Sequence, residues 1–240
     1  MGIKLSTIIP VYNKEKAVRE TLQSIVDNHG ILDNEYECIL VDDESSDTSP
    51  DICREFCETY PYFNYIRIFN DKFFGPSNAR NVGLRYCNGD LIHFLDSDDL
   101  LCNGFYQHVV EILDNSDYDA YVGDITVFND NKYSFCYLSG YETGLYGPML
   151  SACVFKKYIK DIVFYNIKTE DIIFTWMALN NRKYYRDAHY YDTYIYRKDY
   201  NEAVLIKHDN ELDFPFNVVS FLEKYDNYKF KLINGQIVYK

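Results

Sequence analysis

No stretch of this 240-residue chain approaches the ~18 consecutive apolar residues of a membrane-spanning helix. Its opening, MGIKLSTIIPVYNK, has no charged segment followed by a long apolar one, so no secretory leader is expected. Basic residues are also scarce: 24 Lys and Arg stand against 37 Asp and Glu, a formal net charge of -13. Broad binding to nucleic acid or to an anionic membrane, which needs clustered Lys and Arg, is therefore not expected. An anionic ligand has to enter at a local positive site or through a metal ion. The seven cysteines form no pair of CxxC motifs, and the five histidines (29, 93, 108, 189 and 208) are dispersed. A structural zinc site is thereby disfavoured, and buried free thiols in a reducing, cytoplasmic setting are expected. There is no internal repeat, low-complexity tract or clear linker, so a single domain over 1–240 is the expectation.

What is present is an alternation of strand-like and helix-like segments. LSTIIPVY, YECILVDD, YFNYIRIF, DLIHFLD and YDAYVGDI read as strands. Between them, Ala17, Val18, Thr21, Leu22, Ile25 and Val26 recur at helical spacing over about four turns. SPDICREFCETY starts with Ser49 as N-cap and Pro50 at the first helical position. Gly75 and Pro76 open a third helix, and Phe105, Val109, Ile112 and Leu113 mark a fourth. This order predicts an α/β fold with a mostly parallel central sheet flanked by helices. The second half is less regular: a hairpin around Asn129–Asn131, helices over MLSACVFKKYI and EDIIFTWMALNN, then a Tyr-rich strand region. The expected division is a binding half over 1–124, a second half over 125–205 and a tail over 206–240.

In parallel α/β sheets ligands bind beyond the carboxyl ends of the strands. Of the first four strand ends, Pro10–Asn13, Asp42–Asp43, Asn70–Asp71 and Asp96–Asp99, the last three are acidic, and LIHFLDSDDLL is the densest, with Asp96, Asp98 and Asp99. A helix cap near Leu100 explains one carboxylate. Three so close repel and raise one another's pKa. Mg²⁺ or Mn²⁺, hard cations that take carboxylate and phosphate oxygens, removes the conflict if it bridges Asp98 to a diphosphate. Arg80 near a helix N-terminus is a candidate phosphate contact, with a solvated helix face as the alternative.

STIIPVYNKEKAVRETLQSI, YECILVDDESSDTS, GPSNARNVGL and NGDLIHFLDSDDLL, in that order and spacing, resemble the successive motifs of family 2 glycosyltransferases of bacterial surface-polysaccharide type. The resemblance implies a GT-A fold and an inverting transferase that uses a nucleotide-sugar, with a UDP-sugar favoured. It implies that Pro10, Val11, Tyr12, Asn13 and Asp43 line the nucleobase pocket, with Asp43 accepting the uracil N3–H. Arg80 would lie along the nucleotide, and Asp96 would contact the ribose or the metal. Asp98 would ligate Mn²⁺ or Mg²⁺, and Asp99 would brace the loop. KTEDIIFTWMAL resembles the family's acceptor-side helix, which makes Asp171 the general base and Glu170 its support. A bland alternative is a capped first turn, Thr169 followed by two acids at the positive end of the helix dipole. YIYRKD resembles the segment where a basic residue, here Arg197, clamps the diphosphate.

The acceptor implied is a hydroxyl of a glycan or lipid-linked molecule at the inner face of the cytoplasmic membrane. SACVFKKYIK is the one modest candidate for peripheral contact. Without transmembrane segments, one sugar per event is expected. Competing readings are a non-catalytic nucleotide- or glycan-binding GT-A domain, a sugar-nucleotide nucleotidyltransferase and a D-x-D phosphatase. PVYNKEKA lacks the glycine-rich basic loop expected of a nucleotidyltransferase, and the D-x-D follows the fourth strand rather than the first.

Overall fold

A computed structural model describes residues 2–69, 75–123, 125–129, 132–136, 150–166, 170–187, 194–197, 230–233 and 236–239, with side chains for 2–69, 75–123, 150–166 and 170–187. The first half runs β1 (Leu5–Val11), α1 (Val18–Asn28), β2 (Tyr36–Asp43), α2 (Ser49–Thr59), β3 (Phe63–Ile68), α3 (Pro76–Tyr86), β4 (Leu91–Phe94), β5 (Leu100–Leu101), α4 (Phe105–Asp114) and β6 (Ala120–Val122). There follow β7 (Ile125–Asn129), β8 (Lys132–Cys136), β9 (Cys153–Lys156), α5 (Glu170–Leu179), β10 (Tyr184–Arg186), β11 (Tyr194–Arg197), β12 (Phe230–Ile233) and β13 (Gln236–Tyr239).

A seven-stranded sheet has the order β10-β6-β9-β4-β1-β2-β3. β1, β2, β3 and β4 are mutually parallel, as the alternating pattern requires. Every residue of β2 is buried, and β1 is buried at all positions but Pro10, because helices cover both faces. Pro10 lies past Ile8–Phe94, the last β1–β4 pair, at a strand end where a missing N–H is tolerated. Two apolar clusters fill the faces. One joins Leu5, Ile9, Val18, Leu22, Ile25, Phe105 and Val109. The other joins Ile8, Val41, Val82, Phe94, Phe155, Phe164 and Phe174. Gly83 lets α3 approach β1 closely, since a Cβ there would sit 2.3 Å from Ile8 Cγ2.

Four local expectations are corrected. MLSACVFKKYI is not a helix: 3₁₀ turns at Leu150–Ala152 and Lys157–Asp161 flank β9. β9 fills the slot between β4 and β6, antiparallel to both, and its buried Cys153, Val154 and Phe155 suit a strand covered on both faces. α1 begins at Val18 and spans 11 residues, shorter than expected. No carboxylate caps a helix at Leu100, because Leu100 and Leu101 pair with β11 and α4 starts only after Gly104. Ser49 is the first residue of α2 rather than its cap; its hydroxyl accepts the Lys14 amide at 2.8 Å. The expected hairpin at Asn129–Asn131 is present as the antiparallel β7–β8 pair. A second sheet has the order β5-β11-β7-β8, and β12 pairs with β13.

Candidate active site

The carboxyl ends of β1, β2 and β4 converge, as the topology dictates. The loops after β1 and β2 interlock through their polar side chains. Asn13, in the left-handed region at φ 49°, donates its amide to Ser45 Oγ at 3.0 Å and accepts the Ser46 amide on Oδ1 at 2.8 Å. The Glu15 amide donates to Asp47, and Glu15 Oε2 accepts from both the amide and the hydroxyl of Thr48. DESSDTS is therefore a brace between two strand ends rather than a simple turn. Asn13 serves that brace with its side-chain oxygen, and the Val11 side chain is buried in the core. Tyr12 presents an exposed ring, 57 % accessible.

Adjacent Asp42 and Asp43 have opposite fates, because successive residues of a strand face opposite sides. Asp42 is fully buried and saturated: it accepts from Tyr65 Oη at 2.7 Å and from the Ser45 amide, with Arg67 at 3.4 Å. Asp43 is buried too. Its Oδ2 accepts the Gly75 amide at 2.6 Å, but its Oδ1 has no partner among the described residues. Burial raises the Asp43 pKa, with the Gly75 amide opposing. An orphaned buried acceptor costs about 1–3 kcal/mol unless a ligand donates to it.

The acidic stretch after β4 is compensated internally. Arg80, nearly inaccessible, donates to Asp96 Oδ1 and to Glu170 Oε1, both at 2.8 Å, and its guanidinium lies 5.5 Å from the Phe164 ring centroid. Burial works against the Arg80 charge, but Asp96, Glu170 and Asp171 outweigh it and raise its pKa. Lys14 Nζ donates to Asp98 Oδ2 at 2.6 Å. The Asp98 pKa is raised by burial and by Asp96, and Lys14 opposes both. The Asp99 amide closes a turn onto the Asp96 carbonyl at 3.1 Å. Two of the three carboxylates that argue for a metal ion are thus already faced by protein cations.

Among the described residues, no group of three or more His, Cys, Asp or Glu converges as a cation cage. Asp96 and Asp98 do present hard oxygen donors, and an ammonium already stands against Asp98. That donor set fits a divalent cation that completes its shell with diphosphate and water.

The start of α5 reaches this site through α3. Ser77, Arg80 and Asn81, at i, i+3 and i+4, share one helix face. Ser77 Oγ donates to the Tyr165 carbonyl at 3.0 Å. Asn81 donates to the Phe164 carbonyl and accepts the Phe164 amide, both at 2.8 Å. Arg80 grips Glu170. Ser77 and Arg80 are buried, so the alternative of a solvated helix face for Arg80 does not hold. Phe94, Phe164 and Phe174 pack as an aromatic layer beneath. Glu170 and Asp171 open α5. Burial raises both pKa values and Arg80 opposes both rises, so Asp171 is a carboxylate of increased basicity.

The residues predicted from sequence therefore assemble in part. Tyr12, Asp43, Arg80, Asp96, Asp98, Glu170 and Asp171 lie on the strand-end loops and helix starts around one side of the sheet. Arg197 is described only as the last backbone position of β11. Thr169 and His189 lie outside the described residues. Asn70–Asp71, at the end of the third strand, also falls outside. Lys14, Ser77, Asn81 and Phe164 were missed. The polar i, i+3, i+4 stripe in SNARN was the available signal for two of them; nothing local marked Lys14 or Phe164.

The SACVFKKYIK candidate for membrane contact turns inward. Its apolar residues Val154, Phe155 and Ile159 are buried. Lys157 pairs with Asp90, and Lys160 donates to the Cys87 carbonyl. No helix among the described residues is long and apolar enough to cross a membrane. Cys38, Cys53, Cys57 and Cys87 form no disulfide among the described residues.

The profile of the family described as "Glycosyl transferase family 2" matches residues 6–188. GgaB, a minor teichoic acid biosynthesis protein of Bacillus subtilis (strain 168), is 30 % identical over 234 residues. That match covers 90 % of this chain and 25 % of GgaB, so the chain spans about a quarter of that relative's length. S. aureus TarS 1–349, solved with UDP-GlcNAc, superimposes with a TM-score of 0.71 at 22 % identity, covering 85 % of this chain and 62 % of that one. The mannosyltransferase PcManGT of Pyrobaculum calidifontis, solved with GDP-Man and Mn²⁺, gives 0.62 at 17 % identity, covering 80 % of this chain and 56 % of that one. The fold is GT-A, and the chain belongs to glycosyl transferase family 2.

Proposed function

We propose that this chain transfers a sugar, with inversion, from a nucleotide-sugar to a hydroxyl of a glycan or lipid-linked acceptor, and that the donor is a UDP-sugar. The observation that carries the reading is the Arg80 bridge, which joins Asp96 on the donor side to Glu170, and with it Asp171, at the start of α5. Asp43 Oδ1, buried and orphaned, suits the N3–H of uracil, and the exposed Tyr12 ring offers it a stacking face. The UDP-GlcNAc bound by the structural neighbour TarS supports that donor class. The name of GgaB favours an acceptor of the cell-surface polymer class.

Asp171 acts as the base: it takes the proton of the acceptor hydroxyl as that oxygen attacks the anomeric carbon. Its raised pKa makes it a better proton acceptor near neutrality than an ordinary carboxylate. Glu170 holds Arg80 and orients the first turn of α5. Asp98, with Asp96 beside it, would hold Mn²⁺ or Mg²⁺, which when bound neutralises the departing diphosphate. Asp99 braces the loop through its turn to Asp96. Arg197 is a candidate clamp for the same diphosphate.

The test is thermal unfolding with UDP, GDP, CDP and ADP, each with and without Mn²⁺, on the wild type and Asp98→Asn. A ligand at ~100 times its Kd adds about 2.7 kcal/mol, roughly 5–10 °C for a chain of this size. The expected result is a UDP shift that needs Mn²⁺ and disappears in Asp98→Asn. No shift with any nucleotide overturns the donor-site reading.

A further inference from the structure

The most specific contact the sequence did not suggest is the Lys14–Asp98 pair. Lys14 is not placed by chance. Its amide donates to Ser49 Oγ, and its neighbours Asn13 and Glu15 are pinned to Ser45, Ser46, Asp47 and Thr48. The loop thus delivers a flexible four-carbon stem to the mouth of the site with little freedom at its base. The ammonium lands on Asp98 Oδ2 at 2.6 Å. Asp98 is almost inaccessible, 6 % at its side chain, whereas Lys14 is 25 % accessible. The carboxylate is therefore the fixed member of the pair and the lysine the one with room to leave.

We infer that Lys14 is a resident counter-cation that competes with the divalent ion for Asp98 and makes tight cation binding depend on the nucleotide. The inference rests on the assignment of Asp98 as the cation ligand. Without a divalent ion, three carboxylates stand after β4. Arg80 neutralises Asp96, and Lys14 neutralises Asp98. A divalent ion arriving alone must displace the ammonium and leave it without a counter-charge. An ion arriving with a diphosphate brings the ammonium a new partner, since phosphate oxygens are strong acceptors for a lysine. Lys14 thereby weakens the ion alone and strengthens the ion with nucleotide.

The experiment measures Mn²⁺ affinity of the full chain by titration calorimetry, with and without UDP. It uses the wild type, Lys14→Met, Lys14→Arg and Asp98→Asn. Lys14→Met retains the Ser49 bond, which uses the backbone amide, so the loop keeps its brace. The expected result is Mn²⁺ binding to Lys14→Met about fivefold tighter than to wild type without UDP, the scale of one partly exposed ion pair. The further tightening produced by UDP is expected to be smaller in Lys14→Met than in wild type, and Lys14→Arg is expected to keep wild-type behaviour. Equal or weaker Mn²⁺ binding by Lys14→Met, together with its loss in Asp98→Asn, overturns the role of Lys14 while sparing the cation site. Undiminished binding in Asp98→Asn overturns the cation-site assignment itself.

Discussion

The loops after β1 and β2 are braced by each other, whereas the start of α5 is braced by a helix from the other half of the chain. In the first region, Asn13, Lys14 and Glu15 meet Ser45 through Ser49 by hydrogen bonds alone, with both loops growing from adjacent parallel strands. In the second, Ser77, Arg80 and Asn81 of α3 reach about 90 residues along the chain to Phe164, Tyr165 and Glu170. The difference teaches where the two halves of the proposed chemistry are stored. The proposed donor side draws on the braced ends of two neighbouring strands together with the loop after β4. The proposed acceptor side depends instead on α3, whose Arg80 holds Glu170 at the start of α5.

The largest effect is expected from Asp171→Asn, which removes the proposed base without touching the loops after β1 and β2. Transfer should fall about 10³-fold, while UDP affinity measured by calorimetry stays within about twofold. Retention of substantial turnover would dissolve the proposed division between the regions.

Arg80→Met breaks the bridge itself. It strands Glu170 and Asp96, and because Asp96 is 41 % accessible at its side chain, the loss is discounted to about 3 kcal/mol in urea unfolding. Its second signature is kinetic. Arg80 opposes the burial that raises the Asp171 pKa, so its removal raises that pKa further. A base works deprotonated, and the acid limb of the kcat/KM profile should therefore move to higher pH. A simple loss of folded protein would leave the limb in place.

A third measurement probes the core beneath both regions. The buried His93 Nε2–H donates to the Ser151 carbonyl at 2.9 Å, which leaves Nδ1 to accept from Tyr106 at 2.8 Å. Thr7 then donates to Tyr106, and Tyr36 to Thr7. Burial lowers the His93 pKa to about 4, against bonding to Ser151 and the charge of Asp96. The unfolded chain takes up a proton below about 6.5 while the folded one does not. Stability is thus intact above that pH and lost as pH falls toward 4. Between pH 7 and 4.5 the wild type should lose about 2.5 kcal/mol more than His93→Gln, read from urea midpoints. The smallest effect is expected from Asn81→Ala, about 1–2 kcal/mol for two hydrogen bonds to the Phe164 backbone. That loss should be accompanied by reduced turnover at unchanged UDP affinity, since only the acceptor side is loosened.

The parallel strands and their helices were legible because their signals are local: apolar runs of strand length, Pro and Gly at helix starts, and periodic apolar faces. Asp43 was distinguished from Asp42 only by the family resemblance; in the structure one carboxylate is saturated by Tyr65, Ser45 and Arg67 and the other has an oxygen without a partner among the described residues. The helix expected over MLSACVFKKYI failed because a short buried apolar run fits either element, and only the vacant slot between β4 and β6 chose the strand. Spacing along the chain did not reveal the protein cations that face the acidic cluster. Lys14 lies 84 residues from Asp98, and Arg80, though only 16 from Asp96, sits on a different element.

By itself the sequence determined the α/β order, the strand ends that form the site and the acidic and basic residue types gathered there. Those follow from hydrophobic periodicity and from the rule that parallel strands present their carboxyl ends on one side. Tertiary structure alone decided which charge faces which. Arg80 chose Asp96 and Glu170 over solvent, and Lys14 chose Asp98. Ion pairing depends on distance and burial, and neither is written in the spacing of residues along a chain.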